Sequence, residues 1–160
     1  MSINVGDRMP EGSFAVMTTD GPANVSTEEL FAGDKVVLFA VPGAFTPTCS
    51  MQHLPGYVAN AAAILGKGVD TIACMSVNDV FVMDAWGKDI GTGDKVMMLA
   101  DGNGAYTKAL GLELDASGFG MGTRSQRFAI VVDDGVVSQL HVEAAGEFKV
   151  SAAEAVFDNL

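Results

Sequence analysis

The run Pro42-Gly43-Ala44-Phe45-Thr46-Pro47-Thr48-Cys49 sets a thiol at the start of a helix, directly behind a buried strand. Thr46 suits an N-cap, and Pro47 suits the first helical position, where its fixed φ helps and its missing N–H is no loss. Cys49 is therefore expected at the third helical position. In a first turn the free backbone N–H groups and the positive end of the helix dipole favour an anion over a neutral thiol. The thiolate is the nucleophile, so this placement marks a reactive cysteine rather than a small buried hydrophobe.

Other residues offer partners for that sulfur. Arginines occur at 8, 124 and 127, and the last two open the strand-like run RSQRFAIVV. A guanidinium is a planar fork of donors that stays charged, so near Cys49 it would hold a thiolate and share charge with an oxygen leaving group. Arg127 is the stronger candidate, and Arg124 reads equally well as a surface side chain. The Thr46 hydroxyl has two compatible roles, capping the helix and donating to the sulfur or to a bound oxygen. His53 lies one turn after Cys49 on the same helix face, where a packing or hydrogen-bonding role is expected, because a lone Cys/His pair lacks the further ligands of a zinc site. His141 reads as a surface residue. Cys74 sits inside a strand, well back from its end, and pairing with Cys49 would require the first helical turn to unwind. A buried, unpaired Cys74 and a Cys74 that joins the chemistry both stay open. The glycine clusters at 91–93, 102–104 and 118–122 match no complete phosphate-binding fingerprint. Phe119 and Met121, held between glycines, are expected either to expose an apolar interface patch or to pack on the core.

The elements that must position these groups follow from pattern. Lys35–Val41 (KVVLFAV) is short, β-branched and closed by Pro-Gly, hence a buried strand. A helix is expected from Thr46 to about Leu65, disturbed at Pro55-Gly56. Phe14–Thr18 before Asp20-Gly21 reads as a strand and turn, Ser26 to Leu30 as a short capped helical turn, and Val69–Val77 and Val96–Ala100 as core strands. A helix capped at Asn78-Asp79 lies between those last two strands, and a further helix is expected at Ala105–Leu110. Arg127–Val132 and Val136–Val142 flank Asp133-Asp134-Gly135, a hairpin signal. Ser151-Ala152-Ala153-Glu154 has the form of a capping box opening the last helix. This order predicts an α/β fold, a mixed central sheet flanked by helices, with sites beyond the carboxyl ends of the strands.

Composition narrows the function classes. At 160 residues the chain reads as a single domain over 1–160, able to bury roughly two thirds of its unfolded surface without staples. A net charge of −11 and a pI near 4.3, with no basic run, oppose nucleic-acid binding. No apolar stretch approaches the ~20 residues of a membrane span, and MSINVGDRMPEGS has no leader pattern. Two cysteines without a C-x-x-C pair suit a reducing compartment, so a cytoplasmic location is expected.

Pro42, Thr46 and Cys49, as P-x-x-x-T-x-x-C, together with an arginine opening a late strand, resemble the peroxiredoxins. PGAFTPTCSMQHLPGYV, CMSVNDVFVMDAW and RSQRFAIVVDDGVV are similar to characteristic blocks of the type II subfamily, often called peroxiredoxin 5, and the resemblance spans nearly the whole chain. It implies a thioredoxin-like fold with an N-terminal strand and turn, and thiol-dependent reduction of hydrogen peroxide and organic hydroperoxides. Cys49 would be the peroxidatic cysteine, Thr46 and Arg127 would orient peroxide and polarise its O–O bond, and Pro42 would shield the pocket. No metal or organic cofactor is implied. Animal members carry a resolving cysteine near the C-terminus, where this chain reads Ala145-Gly146-Glu147-Phe148-Lys149-Val150. Plant-type members place a second cysteine where Cys74 stands and are reduced through glutathione and glutaredoxin or through thioredoxin. Either Cys74 or an external thiol would resolve the sulfenic acid, and strand geometry favours the external thiol. A homodimer using Phe45, Phe81, Phe119 and Met121 is also expected, with neither nucleic acid nor membrane as partner. The rival readings are a thiol-disulfide oxidoreductase, which lacks its C-x-x-C, and a non-enzymatic peroxide sensor or redox-dependent binding protein.

Overall fold

The computed structural model describes residues 2–160. Its centre is a seven-stranded mixed sheet in the order β2-β1-β5-β4-β3-β8-β9. Three parallel strands form the middle: β3 (Lys35–Ala40), β4 (Thr71–Ser76) and β5 (Met97–Ala100). They are the runs of Val, Ile, Leu, Phe, Ala and Met that the sequence marks as buried, because strands covered on both faces have no polar side to show. The crossovers between them are helices, α2 (Leu54–Leu65) and α3 (Val80–Ile90). Antiparallel hairpins finish both edges, β1 (Ser13–Thr18) with β2 (Gly21–Ser26), and β8 (Phe128–Asp133) with β9 (Val136–Val142). The second hairpin turns at Asp134 and Gly135, both at positive φ, as an Asp-Gly turn requires.

One face of the sheet is covered by α2, α3 and the terminal α5 (Ala153–Asp158), which bury Tyr57, Ile64, Met83, Trp86 and Val156 against Val37, Phe39 and Cys74. The other face is covered by α1 (Thr27–Phe31) and α4 (Ala105–Leu110), through Leu30, Phe31, Tyr106 and Leu110. Among the described residues no helix is long and apolar enough to cross a membrane.

Some elements differ from expectation, each for a local reason. Strand β2 (GPANVS) has weak strand propensity and is held by its pairing along all of β1; Pro22 is tolerated because β2 is an edge strand. The short ribbon β6 (Glu113–Asp115) with β7 (Thr123–Ser125) had no pattern to announce it. Ser26 caps α1 as expected, with Glu29 closing a capping box, and Asp79 caps α3 through Val82 N at 2.9 Å. The second expected box does not form. Ala152 stands at the N-cap of α5 without a side-chain cap, and the Ser151 hydroxyl donates to Glu143 at 2.6 Å.

The helix carrying Cys49 is also not one regular α-helix. Pro47 and Thr48 begin it, Cys49–His53 form a π-turn in which the Leu54 N–H reaches back to the Cys49 carbonyl, and α2 follows. Pro55 supplies the reason: it has no N–H to give the carbonyl one turn back and its ring would press on that carbonyl, so a wider turn ahead of it relieves both problems.

Candidate functional site

Register brings the site together. β3 runs antiparallel to β8 with Ala40 opposite Phe128, so the chain leaving β3 toward Pro42 lies beside Arg127 entering β8. The helix after the Pro42–Thr48 loop then returns over the same strand ends and sets Cys49 under Arg127. The Cys49 side chain is wholly shielded from solvent, and Arg127 Nη2 donates to its Sγ at 3.1 Å. Among the described residues this is the only hydrogen-bond donor on the sulfur. Backbone N–H groups of the first turn were expected to serve, but the Ser50 N–H is taken by the Thr46 carbonyl at 2.9 Å.

The other arm of the guanidinium is fixed too. Arg127 Nη1 lies 2.8 Å from His53 Nδ1, and His53 Nε2 lies 3.1 Å from the Ser151 carbonyl. A carbonyl accepts only, so Nε2 carries the imidazole proton and Nδ1 offers its lone pair to Arg127. His53 is thus a neutral acceptor. Burial, and then the positive charge of Arg127, push its pKa down to about 3. The expected hydrogen-bonding role for His53 holds.

Aromatic rings dry the surroundings. Phe39 stacks on Tyr57 at 3.9 Å, the Tyr57 hydroxyl donates to the Ser151 carbonyl at 2.7 Å, and Phe148 tilts against His53 at 5.0 Å and lies over Arg127 at 5.8 Å. No local motif assigns Tyr57, Ser151 or Phe148 to the site, because their partners come from elements far apart in sequence.

The loop is braced from several sides. Gly43 is buried, and a Cβ there would stand 3.2 Å from both Met121 Cε and Thr46 Cγ2, so glycine lets Met121 close on the loop. Thr46 does not cap the helix. Its hydroxyl donates to the Gly43 carbonyl at 2.7 Å, which leaves its lone pairs free to accept. Pro42 is half-buried at the bend. Asn78 Oδ1 accepts the Ala44 N–H at 3.0 Å, and Trp86 Nε1 donates to Ser50 Oγ at 2.8 Å, next to Cys49. Arg124 is a brace rather than a loose surface residue, donating to the carbonyls of Met121 and Val77 at 2.9 Å each. His141 is half-buried and pairs with Gln139.

Cys74 lies on the same sheet face as Cys49 and is fully buried between Phe39 on β3 and Met98 on β5. Both cysteines are free thiols. Burial, and then the nearby Cys49 sulfur, push the Cys74 thiol up, which keeps it protonated and weakly nucleophilic.

The neutral His53 links stability to pH. An unfolded histidine takes its proton near 6.5 and the folded one only near 3, so between those values the unfolded chain binds more protons. Stability present above pH 6.5 is lost as pH falls through that window, by about 2 kcal/mol on reaching pH 5. Urea midpoints compared at neutral pH and near pH 5 should show a shallower loss in His53→Gln than in the parent; equal losses would contradict a neutral imidazole here.

The Redoxin family profile matches residues 4–157. The chain is 52% identical over 157 residues to chloroplastic peroxiredoxin-2E of Arabidopsis thaliana, covering 96% of this chain and 67% of that protein. It is 51% identical over 158 residues to chloroplastic peroxiredoxin-2E-2 of Oryza sativa subsp. japonica, covering 96% and 70%. The crystal structure of reduced Prx3 of Vibrio vulnificus in complex with hydrogen peroxide superposes with a TM-score of 0.95 at 52% identity, over 98% of each chain. The plant relatives overturn the expected cytoplasmic location: both are chloroplastic, and two unpaired cysteines suit any reducing compartment. The chain belongs to the Redoxin family, with the thioredoxin-like fold, as a peroxiredoxin of type II.

Proposed function

We propose that this thiol-dependent peroxidase works through Cys49, with Arg127, Thr46 and Pro42 forming the pocket in which peroxide reacts. The observation that carries the reading is the 3.1 Å bond from a guanidinium to a sulfur shut away from water. The ionised sulfur attacks one peroxide oxygen, the S–O bond forms as the O–O bond breaks, and the departing oxygen takes a proton to leave as water or an alcohol. Sulfur is oxidised to the sulfenic acid and the peroxide is reduced. Arg127 donates to the departing oxygen as its charge grows. Thr46, its own proton committed to Gly43, accepts from the peroxide hydroxyl, and Pro42 limits water. Residues 1–160 act in this as one thioredoxin-like domain.

An external thiol, glutathione with glutaredoxin or else thioredoxin, is the reductant this reading favours. Its thiolate attacks the Cys49 sulfur and releases water, and a second thiol then frees Cys49 from the mixed disulfide. Cys74 is poorly suited to resolve, being fully buried in mid-sheet and kept protonated. A homodimer is also proposed. Phe45, Phe81 and Phe119 are exposed, Phe119 by 86%, and exposed aromatic side chains suit a self-complementary interface. Met121, also expected there, is partly buried and packs toward Gly43, so it contributes less.

Peroxide consumption supplied by glutathione and glutaredoxin should vanish in Cys49→Ser and fall by about 10²–10³-fold in Arg127→Ala; activity surviving without Cys49 would refute the reading. Cys74→Ser should turn over like the parent, and mass spectrometry of the oxidised parent should find no Cys49–Cys74 disulfide; finding one would make Cys74 the resolving thiol. Light scattering at micromolar concentration should report a dimer that Phe119→Glu weakens; a monomer throughout would remove the proposed interface.

A further inference from the structure

Glu143 is a buried carboxylate with no cation in a salt bridge to it among the described residues. Its Oε2 accepts the Lys149 N–H at 2.7 Å, the Ser151 N–H at 2.8 Å and the Ser151 hydroxyl at 2.6 Å. Its own N–H donates to the Arg127 carbonyl at 3.0 Å, because Phe128 pairs with Val142 and the next position outward sets Arg127 beside Glu143. One residue therefore grips the backbone of Arg127 on one side and both sides of Ser151 on the other.

From Glu143 the chain loops out over residues 144–150 and returns at Ser151, whose carbonyl accepts hydrogen bonds from His53 Nε2 and the Tyr57 hydroxyl. Midway, Phe148 closes over His53 and Arg127. The segment is thus a strap whose two ends are held by one residue, the start by the Glu143 backbone and the return by its carboxylate. The Ser151 carbonyl on one ring nitrogen and the Arg127 N–H on the other together hold the His53 proton on Nε2. Were the carbonyl to withdraw, the proton could shift to Nδ1 and face the Arg127 N–H, donor against donor, and the guanidinium would turn from the sulfur.

We propose that Glu143 and Ser151 are positioning residues of the peroxidase reaction: by anchoring the strap they hold His53 in its Nε2–H tautomer and so keep Arg127 aimed at Cys49. The role rests on the proposed function of Cys49 and Arg127, and adds to it two side chains that touch neither sulfur nor peroxide. It also gives the strap a task in a chain that has no cysteine there.

Trp86, the one tryptophan, bonded to the neighbour of Cys49, provides a fluorescence signal for each half-reaction in stopped flow. Misaiming a catalytic group by about an ångström can cost about 100-fold, so Glu143→Ala should slow oxidation by hydrogen peroxide by about 10- to 100-fold. Reduction of the oxidised enzyme by glutathione should keep its parental rate, a split that general loosening of the fold would not give. Nitrogen-15 NMR of the imidazole should show one tautomer in the parent and a mixture in the variant. If Glu143→Ala does not fold, Ser151→Ala, which removes one bond and keeps the carbonyl, should still slow the oxidation step measurably. Parental oxidation rates in the folded variants, equal slowing of both half-reactions, or a pure Nε2–H tautomer in a slow variant would each overturn the inference. Cys49→Ser separates the two levels: if it is inactive while Glu143→Ala runs at full rate, only the positioning role fails.

Discussion

The bond between the Arg127 guanidinium and the Cys49 sulfur sets the conditions that the rest of the site has to meet. A half-buried guanidinium needs acceptors for its N–H groups, and a fully buried sulfur that is to act as a nucleophile needs a donor. Each meets the other's need only if the geometry is held. Holding it requires an acceptor for the second arm of the fork that brings no negative charge to compete with the sulfur, and a neutral histidine meets that need. An acid at position 53 would bind the arginine more strongly and draw its charge away from the sulfur.

Keeping water out falls to aromatic packing. Phe39, Tyr57, His53 and Phe148 form a run of neighbouring rings, stacked between Phe39 and Tyr57 and tilted at His53 and Phe148, that reaches from the middle of the sheet to Arg127. The same residues fill the core, so part of the stability of the fold is spent around one polar cluster. In such a medium each hydrogen bond is electrostatically stronger, and each missing one more harmful. Among the described residues no buried side-chain nitrogen or oxygen lacks a partner, which is what a dry site with this many polar groups requires.

Much of this arrangement was legible in the chain. Runs of β-branched and aromatic residues bounded by Gly, Pro and Asp marked the central strands and the late hairpin, because buried strands and tight turns leave strong local signals. Cys49, Pro42 and Thr46 were legible for the same reason, as one loop between one strand and one helix. Arg127 could be nominated from scarcity and its place at a strand start, and register then delivered it. What local pattern missed are contacts made by register alone: Glu143 beside Arg127, and Ser151 under His53 and Tyr57. Ser151 even carried a misleading signal, since the S-x-x-E spacing of a capping box matched and a stronger acceptor, the Glu143 carboxylate, took the hydroxyl instead.

The π-turn also bears on how firmly the backbone holds Cys49. Backbone bonds hold Cys49 through the wide Leu54-to-Cys49 pair, and Pro55 has no N–H to add another. Cys74, by contrast, sits in a strand hydrogen-bonded on both sides and covered on both faces. Local opening is cheapest where bonds are fewest and packing is outermost. Met51 and Gln52, inside the turn, already face solvent. The backbone at Cys49 is therefore held by fewer bonds than that at Cys74, and the turn is the weaker of the two elements.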